Sequence, residues 1–102
     1  GRDLIYEYIN SLPEAEKIDG YTVLQHMEKG EFDKILFKRW EKKVYEVYFQ
    51  KNNRVFYITV DKENIYLLHS CRKQKNKTEK KDANIVRKRA KELGNMLGRK
   101  FI

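Results

Sequence analysis

The chain has 102 residues, of which 40% are hydrophobic and 37% charged, and its formal net charge is +8. The length fits a single domain over residues 1–102, and the hydrophobic share is sufficient for a modest core, which excludes a disordered tail. No apolar run approaches the roughly 20 residues that a membrane-spanning helix needs, and the N-terminus shows no signal-peptide pattern. The sequence therefore predicts a cytoplasmic protein without a membrane partner.

Two helices are predicted at the start of the chain. The first covers Asp3–Ser11, where apolar residues recur at the spacing of one helix face. The second runs from about Pro13 to Lys29, because proline is tolerated in the first turn of a helix. The residues predicted to face inward on this second helix are Ile18, Tyr21, Leu24 and Met27.

The apolar period then changes to that of β-strands. Strands are predicted at Ile35–Trp40, Val44–Phe49, Arg54–Asp61 and Ile65–His69, with turns at Lys51–Asn53 and Asp61–Asn64. In the second strand, alternation places Glu46 and Tyr48 on the face opposite Val47. The fourth strand is almost continuously apolar, which favours the middle of a sheet covered on both faces.

The last predicted helix spans Glu79–Leu97 and follows a basic loop, Arg72–Lys77. Thr78 is predicted as its N-cap. An apolar seam runs along this helix through Val86, Ala90, Leu93 and Leu97. Helices before and after a run of antiparallel strands predict an α+β domain.

The positive charge is concentrated in the last third of the chain. Residues 1–71 contain 11 basic and 12 acidic side chains, whereas residues 72–102 contain 12 basic and 3 acidic ones, a net charge of +9. Such asymmetry favours a polyanionic partner. A lysine-rich helix that is merely solvated, or that binds an acidic protein, remains an alternative.

Metal and disulfide chemistry is not predicted. Cys71 is the only cysteine, so it cannot form an internal disulfide, and a reducing compartment suits it. His26 and His69 lie far apart in sequence without a clear third ligand. The sequence therefore predicts no metal site and no cofactor, with Cys71 a small buried apolar residue.

The polar residues of the strands and of the basic loop suit phosphodiester cleavage in RNA. The 2′-hydroxyl of RNA can attack its own phosphate without a metal, provided that cations stabilise the developing negative charge. Arginine does this best because its fork matches two phosphate oxygens, and a crowded lysine or a tyrosine can assist proton transfer. No glycine-rich phosphate loop and no nucleophile-elbow motif is present.

Each candidate residue also has a purely structural interpretation. Arg54 follows a turn and could be an ordinary surface residue, or it could form an ion pair with Glu46. His69 could be a hydrogen-bonded structural histidine, and Tyr48 and Tyr57 could pack rather than stack on a base. The alternating lysines Lys73, Lys75 and Lys77 could form a solvated patch as readily as a phosphate-binding track.

Several segments resemble the HigB/RelE-type toxins. Val44–Phe49 is similar to the family's (L/I)-(W/Y)-E-L-R-(F/I) strand, and Arg54–Tyr57 to its R-(I/V)-(L/F)-Y strand. Ile65–His69 with Lys73 and Lys77-Thr78 resembles I-x-L-L-H-x-F-x-K-K-x-x-K-T-P, which is the most specific of the matches. The junction Ser11–Glu14 and the helix Ala83–Leu93 also resemble family segments, so the likeness runs from Leu4 to Leu93 in family order.

The resemblance implies a RelE-like fold, with N-terminal helices packed on a curved antiparallel sheet of about four strands, plus a C-terminal helix. It implies a toxin that cleaves messenger RNA at the ribosome without a metal, and a helix-turn-helix, HigA-like antitoxin. Operator DNA would be bound only through the toxin–antitoxin complex. Carried over to this chain, the resemblance implies that Arg54 stabilises the phosphate, that Lys73 and Lys77 contact it or assist proton transfer, and that His69 lines or supports the groove. Together with the chemistry of the strand and loop residues, it predicts the catalytic residues Arg54, Lys73, His69 and Tyr48 and the RNA-binding residues Arg72, Lys75, Lys77, Thr78, Glu46 and Tyr57.

The chain departs from the family pattern at several positions. Tyr48 stands where the family has an arginine, Cys71 where it has a phenylalanine, and Glu79 where it has a proline. The family's first strand, which precedes the helices, has no counterpart here. Because an active-site arginine is replaced, a non-catalytic RNA- or ribosome-binding module of the same fold is the alternative function.

Overall fold

A computed structural model describes residues 2–73 and 78–102. The elements are, in chain order, α1 (Arg2–Asn10), α2 (Glu14–Glu28), a 3-10 helix (Phe32–Lys34), β1 (Leu36–Glu41), β2 (Val44–Phe49), β3 (Asn53–Thr59), β4 (Ile65–Arg72) and α3 (Lys80–Leu97). Three helices and a four-stranded antiparallel sheet confirm the predicted α+β class. Within the described ranges, no helix combines the length and apolar character that crossing a bilayer requires.

The sheet is an antiparallel meander in which the strands lie in the order of the sequence, β1-β2-β3-β4. The prediction that the apolar fourth strand lies in the middle of the sheet is therefore wrong, because β4 is an edge strand. Its apolar character has another cause: α1 and α3 both contact β4, so both of its faces are covered.

Two tight turns fix the register of the sheet. In the first turn three residues, Gln50–Asn52, connect the paired residues Phe49 and Asn53, and Lys51 and Asn52 both have positive φ, 65° and 63°. This turn places Tyr48 directly opposite Arg54. In the next turn the Asp61 carboxylate accepts backbone N–H bonds from Glu63 and Asn64, both at 2.9 Å.

The two faces of the sheet carry separate apolar clusters. The face under α1 and α2 contributes residues such as Val47, Val55 and Tyr57. The opposite face contributes Val44, Phe56, Ile58 and Leu68 to a cluster with α3. Helix α3 covers only part of that second face of the sheet. Leu36, on the part of this face that α3 leaves uncovered, is 61% exposed.

The inward face of α2 differs from the prediction. Ile18 is 59% exposed, whereas Glu16 and Gly20 are buried together with Val23, Leu24 and Met27. The apolar pattern of the sequence did not predict this face, because it assigns a glutamate to the surface, whereas a glutamate can be buried when it is paired. Glu16 accepts a hydrogen bond from the Asn53 side-chain amide at 2.9 Å and forms an ion pair with Arg72 at 2.7 Å.

The N-cap of α3 is also one residue away from its predicted position. Glu79 is the N-cap and makes no side-chain capping hydrogen bond. The hydroxyl of Thr78, predicted to cap the helix, is buried without a hydrogen-bond partner among the described residues. Thr78 therefore does not cap the helix, although threonine is a favoured N-cap residue.

Candidate functional site

A completely buried carboxylate organises the candidate site. Glu46 lies in the middle of β2, on the face that α3 partly covers, and has no solvent exposure. Its two oxygens accept hydrogen bonds from the ammonium of Lys73 at 2.8 and 2.9 Å, and one of them accepts from Arg54 Nε at 3.1 Å. A charge removed from water must be paired, so this carboxylate holds both cations in place.

Arg54 reaches Glu46 from the neighbouring strand. Its Nη1 donates to the backbone carbonyl of Asn53 at 3.1 Å, and its guanidinium lies 4.8 Å from the centre of the Tyr48 ring. Among the described residues, no hydrogen bond reaches its Nη2 group. The side chain is only 6% exposed, so its orientation is fixed, and no residue in the described ranges accepts a hydrogen bond from Nη2.

Lys73 arrives at the same carboxylate from just beyond the end of β4. Its backbone N–H donates to the carbonyl of Asn52 at 2.8 Å, which extends the pairing of β4 with the hairpin turn. Its ammonium lies 5.8 Å from the centre of the Phe56 ring, and the side chain is 3% exposed. With two donors on Glu46, this lysine is a buried and immobilised cation.

A polar hollow of about 380 Å³ opens beside this cluster. Its lining residues are Lys38, Arg39, Trp40, Glu41, Glu46, Lys73, Thr78, Ala83 and Arg87. Four of these are cations, and two are carboxylates that are already paired, Glu41 with Arg87 and Glu46 with Lys73. The hollow is therefore suited to an anionic ligand.

His69 lies on the same face of the sheet and is held by two contacts. Its Nε2 is 2.8 Å from a carboxylate oxygen of Asp82, in the first turn of α3. Its ring stacks on Phe56, with centroids 6.5 Å apart and planes 22° apart. His69 and Asp82 thus form a fixed pair on the same face of the sheet as Glu46.

Cys71 lies next to this pair. The thiol is buried, and burial raises its pKa to about 12. Its place in the apolar cluster under α3 agrees with its prediction as a small core residue. The ligand atoms of His69, Cys71 and Asp82 all lie within 4.8 Å of one another. The sequence predicted no metal site, because His26 and His69 lie far apart without a clear third ligand; the structure instead brings Cys71 and Asp82 to His69.

The structure separates two of the predicted RNA-binding residues from this site. Tyr57 points to the opposite face, where it is 2% exposed and stacks on Phe32 at 5.6 Å, so no base can stack on it. Arg72 also points to that face and pairs with Glu16. Alternation along β3 and β4 explains both positions, since neighbouring residues of a strand face opposite sides.

The remaining predicted residues have mixed outcomes. Tyr48, Arg54, Glu46, His69 and Lys73 share one face of the sheet, and Thr78 lines the hollow. The predicted residues Lys75 and Lys77 lie outside the described residues.

Sequence reasoning missed Asp82 and several residues that line the hollow, Lys38 among them. Lys38 faces Glu46 across β1 and β2, and its ammonium lies 5.9 Å from the Tyr48 ring. Asp82 contacts His69. The β-period of the first strand could have indicated Lys38, whereas Asp82 gives no signal beyond its place in the first turn of a helix.

A family model described as "Phage derived protein Gp49-like (DUF891)" matches residues 7–91 of the chain. No curated protein and no solved structure matches it. The match covers part of α1, all of α2, all four strands and most of α3, and it includes every described residue of the Glu46 cluster and its hollow.

Proposed function

Since the chain belongs to the Gp49-like family of phage-derived proteins, a RelE/HigB-like toxin family, we propose that it is the toxin of a type II toxin–antitoxin system. In this proposal it is a cytoplasmic endoribonuclease of the HigB type, which cleaves messenger RNA on the ribosome without a metal. A helix-turn-helix, HigA-like antitoxin silences it, and the pair binds operator DNA. The observation that carries the proposal is the convergence of Arg54 and Lys73 on the buried Glu46, beside a cationic hollow.

The cations of this cluster suit the stabilisation of a phosphorane. When the 2′-hydroxyl of RNA attacks the adjacent phosphate, negative charge grows on the non-bridging oxygens. The Nη2 group of Arg54 and the third N–H of Lys73 can donate hydrogen bonds to these oxygens, since neither donates to a described residue. Glu46 holds both cations before the substrate arrives, so little reorganisation is needed during the reaction.

Tyr48 takes the place of the family's arginine in this proposal. Its ring lies near two cations, Arg54 at 4.8 Å and Lys38 at 5.9 Å. A phenol can donate a hydrogen bond to a phosphate oxygen, and its ring can stack on a base. Lys38, which lines the hollow, supplies a positive charge near the position that an arginine would occupy.

The experiment is cleavage of a reporter messenger RNA during cell-free translation, with transcript ends mapped by primer extension. Arg54→Lys keeps the charge but loses the fork, and Lys73→Met keeps the length but loses the charge. Each should lower the cleavage rate about 100-fold or more, as removal of one preorganised donor does in other enzymes. The matched controls are Arg99→Lys and Lys100→Met, near the end of the chain and away from the hollow.

Circular dichroism and thermal unfolding of each variant must show a folded protein before its activity is compared. Cleavage by both site variants at the parental rate would refute the assignment of Arg54 and Lys73. Loss of cleavage in the controls as well would indicate that positive charge in general, rather than this cluster, is responsible.

A second function is favoured by a specific observation, the presence of Tyr48 instead of arginine. The alternative is a non-catalytic module that binds RNA or the ribosome through the same face. It would leave transcripts intact while binding them with a steep dependence on salt, because phosphate contacts release counterions. A weak affinity with little salt dependence would instead indicate an acidic protein partner.

A further inference from the structure

Three side chains of different chemistry meet where the first turn of α3 crosses β4. His69 and Cys71 are two residues apart on β4, so their side chains project from the same face of the strand. Asp82 comes from α3 and is the third member. A basic stretch of sequence separates Asp82 from Cys71, and the packing of α3 on the sheet brings them together.

The geometry of the three groups is close to that of a metal site. Their ligand atoms lie within 4.8 Å of one another, and His69 Nε2 already points at Asp82 at 2.8 Å. Metal–ligand bonds of about 2.0–2.3 Å in a tetrahedron place ligand atoms about 3.3–3.7 Å apart. Small side-chain movements would therefore suffice: the imidazole and the carboxylate separate slightly, and the sulfur approaches both.

The cluster is enclosed but not sealed. The side chains of His69 and Asp82 are 15% and 11% exposed, and Cys71 is 8% exposed. An ion could enter from the solvent side while the protein shields most of its surroundings. The fourth coordination position would stay open to water, as in sites with three protein ligands.

We propose that His69, Cys71 and Asp82 bind one Zn²⁺ ion, or another divalent transition metal of similar preference. As the metal–sulfur bond forms, the Cys71 thiol releases its proton to solvent. The thiolate and the carboxylate together then neutralise the two positive charges of the ion. Imidazole and thiolate favour Zn²⁺ and Co²⁺ over Mg²⁺ and Ca²⁺, which prefer oxygen ligands.

Binding would link the start of α3 to the edge strand β4. A ligand that binds the folded state stabilises it by mass action, so a rise of at least about 5 °C in the melting temperature is expected at saturating Zn²⁺. The proposal does not depend on nuclease activity, because binding and stability are both measured without RNA.

The test is a Co²⁺ titration of the full chain, reduced and free of an affinity tag. Tetrahedral cobalt with a thiolate ligand gives visible absorption bands and a sulfur-to-metal charge-transfer band in the near ultraviolet. One equivalent should saturate the signal, Zn²⁺ should abolish it by displacement, and excess Mg²⁺ should leave it unchanged. The parent protein failing to develop the charge-transfer band would overturn the proposal.

Variants assign the ligands. Cys71→Ser should lose the charge-transfer band, and Asp82→Asn, which retains a hydrogen-bonding partner for His69, should bind at least about tenfold more weakly. The control is His26→Gln, which removes the other histidine, bound to Glu31 on the far side of the sheet, and should bind like the parent. Equal binding by Asp82→Asn and the parent would also overturn the proposal, even if Cys71→Ser fails to fold.

Discussion

The ammonium of Lys73 lies 2.8 and 2.9 Å from the two carboxylate oxygens of Glu46, a residue with no solvent exposure. The guanidinium of Arg54 adds a second cation at 3.1 Å from one of the same oxygens. Two cations thus share one anion, which leaves a formal charge of +1 in a nearly dry environment. A third partner with negative charge, such as a phosphodiester, would balance it.

Replacement of Glu46 by glutamine should destabilise the fold strongly. Glu46→Gln leaves Lys73 and Arg54 buried without a counter-charge, and breaking a buried pair in this way costs about 3–5 kcal/mol. Urea denaturation followed by circular dichroism measures the change in the free energy of unfolding. The control is Glu41→Gln, whose partly exposed pair with Arg87 should contribute less than about 1 kcal/mol. Similar losses in the two variants would show that Glu46 is not the anchor of the cluster.

The two tyrosines on opposite faces of the sheet should behave differently. Tyr57→Ala removes a buried ring from the core and should lower the free energy of unfolding by about 3–5 kcal/mol. Tyr48→Ala should leave stability nearly unchanged and weaken binding of single-stranded RNA by about 1–3 kcal/mol, the contribution of one stacked base. Urea denaturation measures the stability of both variants, and fluorescence anisotropy measures their affinity for single-stranded RNA. An unchanged RNA affinity of Tyr48→Ala would exclude a stacking role.

Glu16 should make the fold sensitive to acid. Hydrogen bonds from Asn53, and then from Arg72, hold the pKa of this carboxyl below its ordinary value of 4.5. The folded state favours the ionised carboxylate of Glu16. The resulting stabilisation of the fold is therefore present at neutral pH and is lost as the pH falls below 4.5 through the folded pKa. Glu16→Gln should therefore be less stable than the parent at pH 7, and this difference should become smaller at a pH below 4.5.

Thermal unfolding of the parent and of Glu16→Gln at both pH values measures this effect. Asn53→Ala, which removes the donor with the largest influence on the carboxyl, should reduce the acid sensitivity as well. A gap between parent and Glu16→Gln that is the same at both pH values would contradict the assignment.

Gly94 should not tolerate alanine although it lies inside a helix. A Cβ at this position would lie 2.4 Å from the backbone carbonyl oxygen of Arg99, which folds back so that its N–H bonds to the Gly94 carbonyl. Helix propensity favours Gly94→Ala by about 1 kcal/mol, but the clash should reverse the sign and destabilise by about 1–3 kcal/mol. Asn95→Ala, at the exposed neighbouring position, should be neutral or slightly stabilising; a stable Gly94→Ala would contradict the close approach.

The sequence alone determined the faces of the sheet and most element boundaries. Alternation in β2 placed Glu46 and Tyr48 together, and the predicted turn at Lys51–Asn53 placed Arg54 at the start of the returning strand. These features depend on strand geometry and on turn chemistry, which act over a few residues. They could therefore be read without knowledge of the rest of the chain.

Only the tertiary structure decided which of these residues meet more distant partners. Lys73 reaches Glu46 across 27 positions, Asp82 reaches His69 through the packing of α3, and Arg72 turns away to Glu16. The physical reason is that these contacts depend on how helices cover the two faces of the sheet. That covering is set by the summed burial of both apolar clusters, which no local pattern around one residue contains.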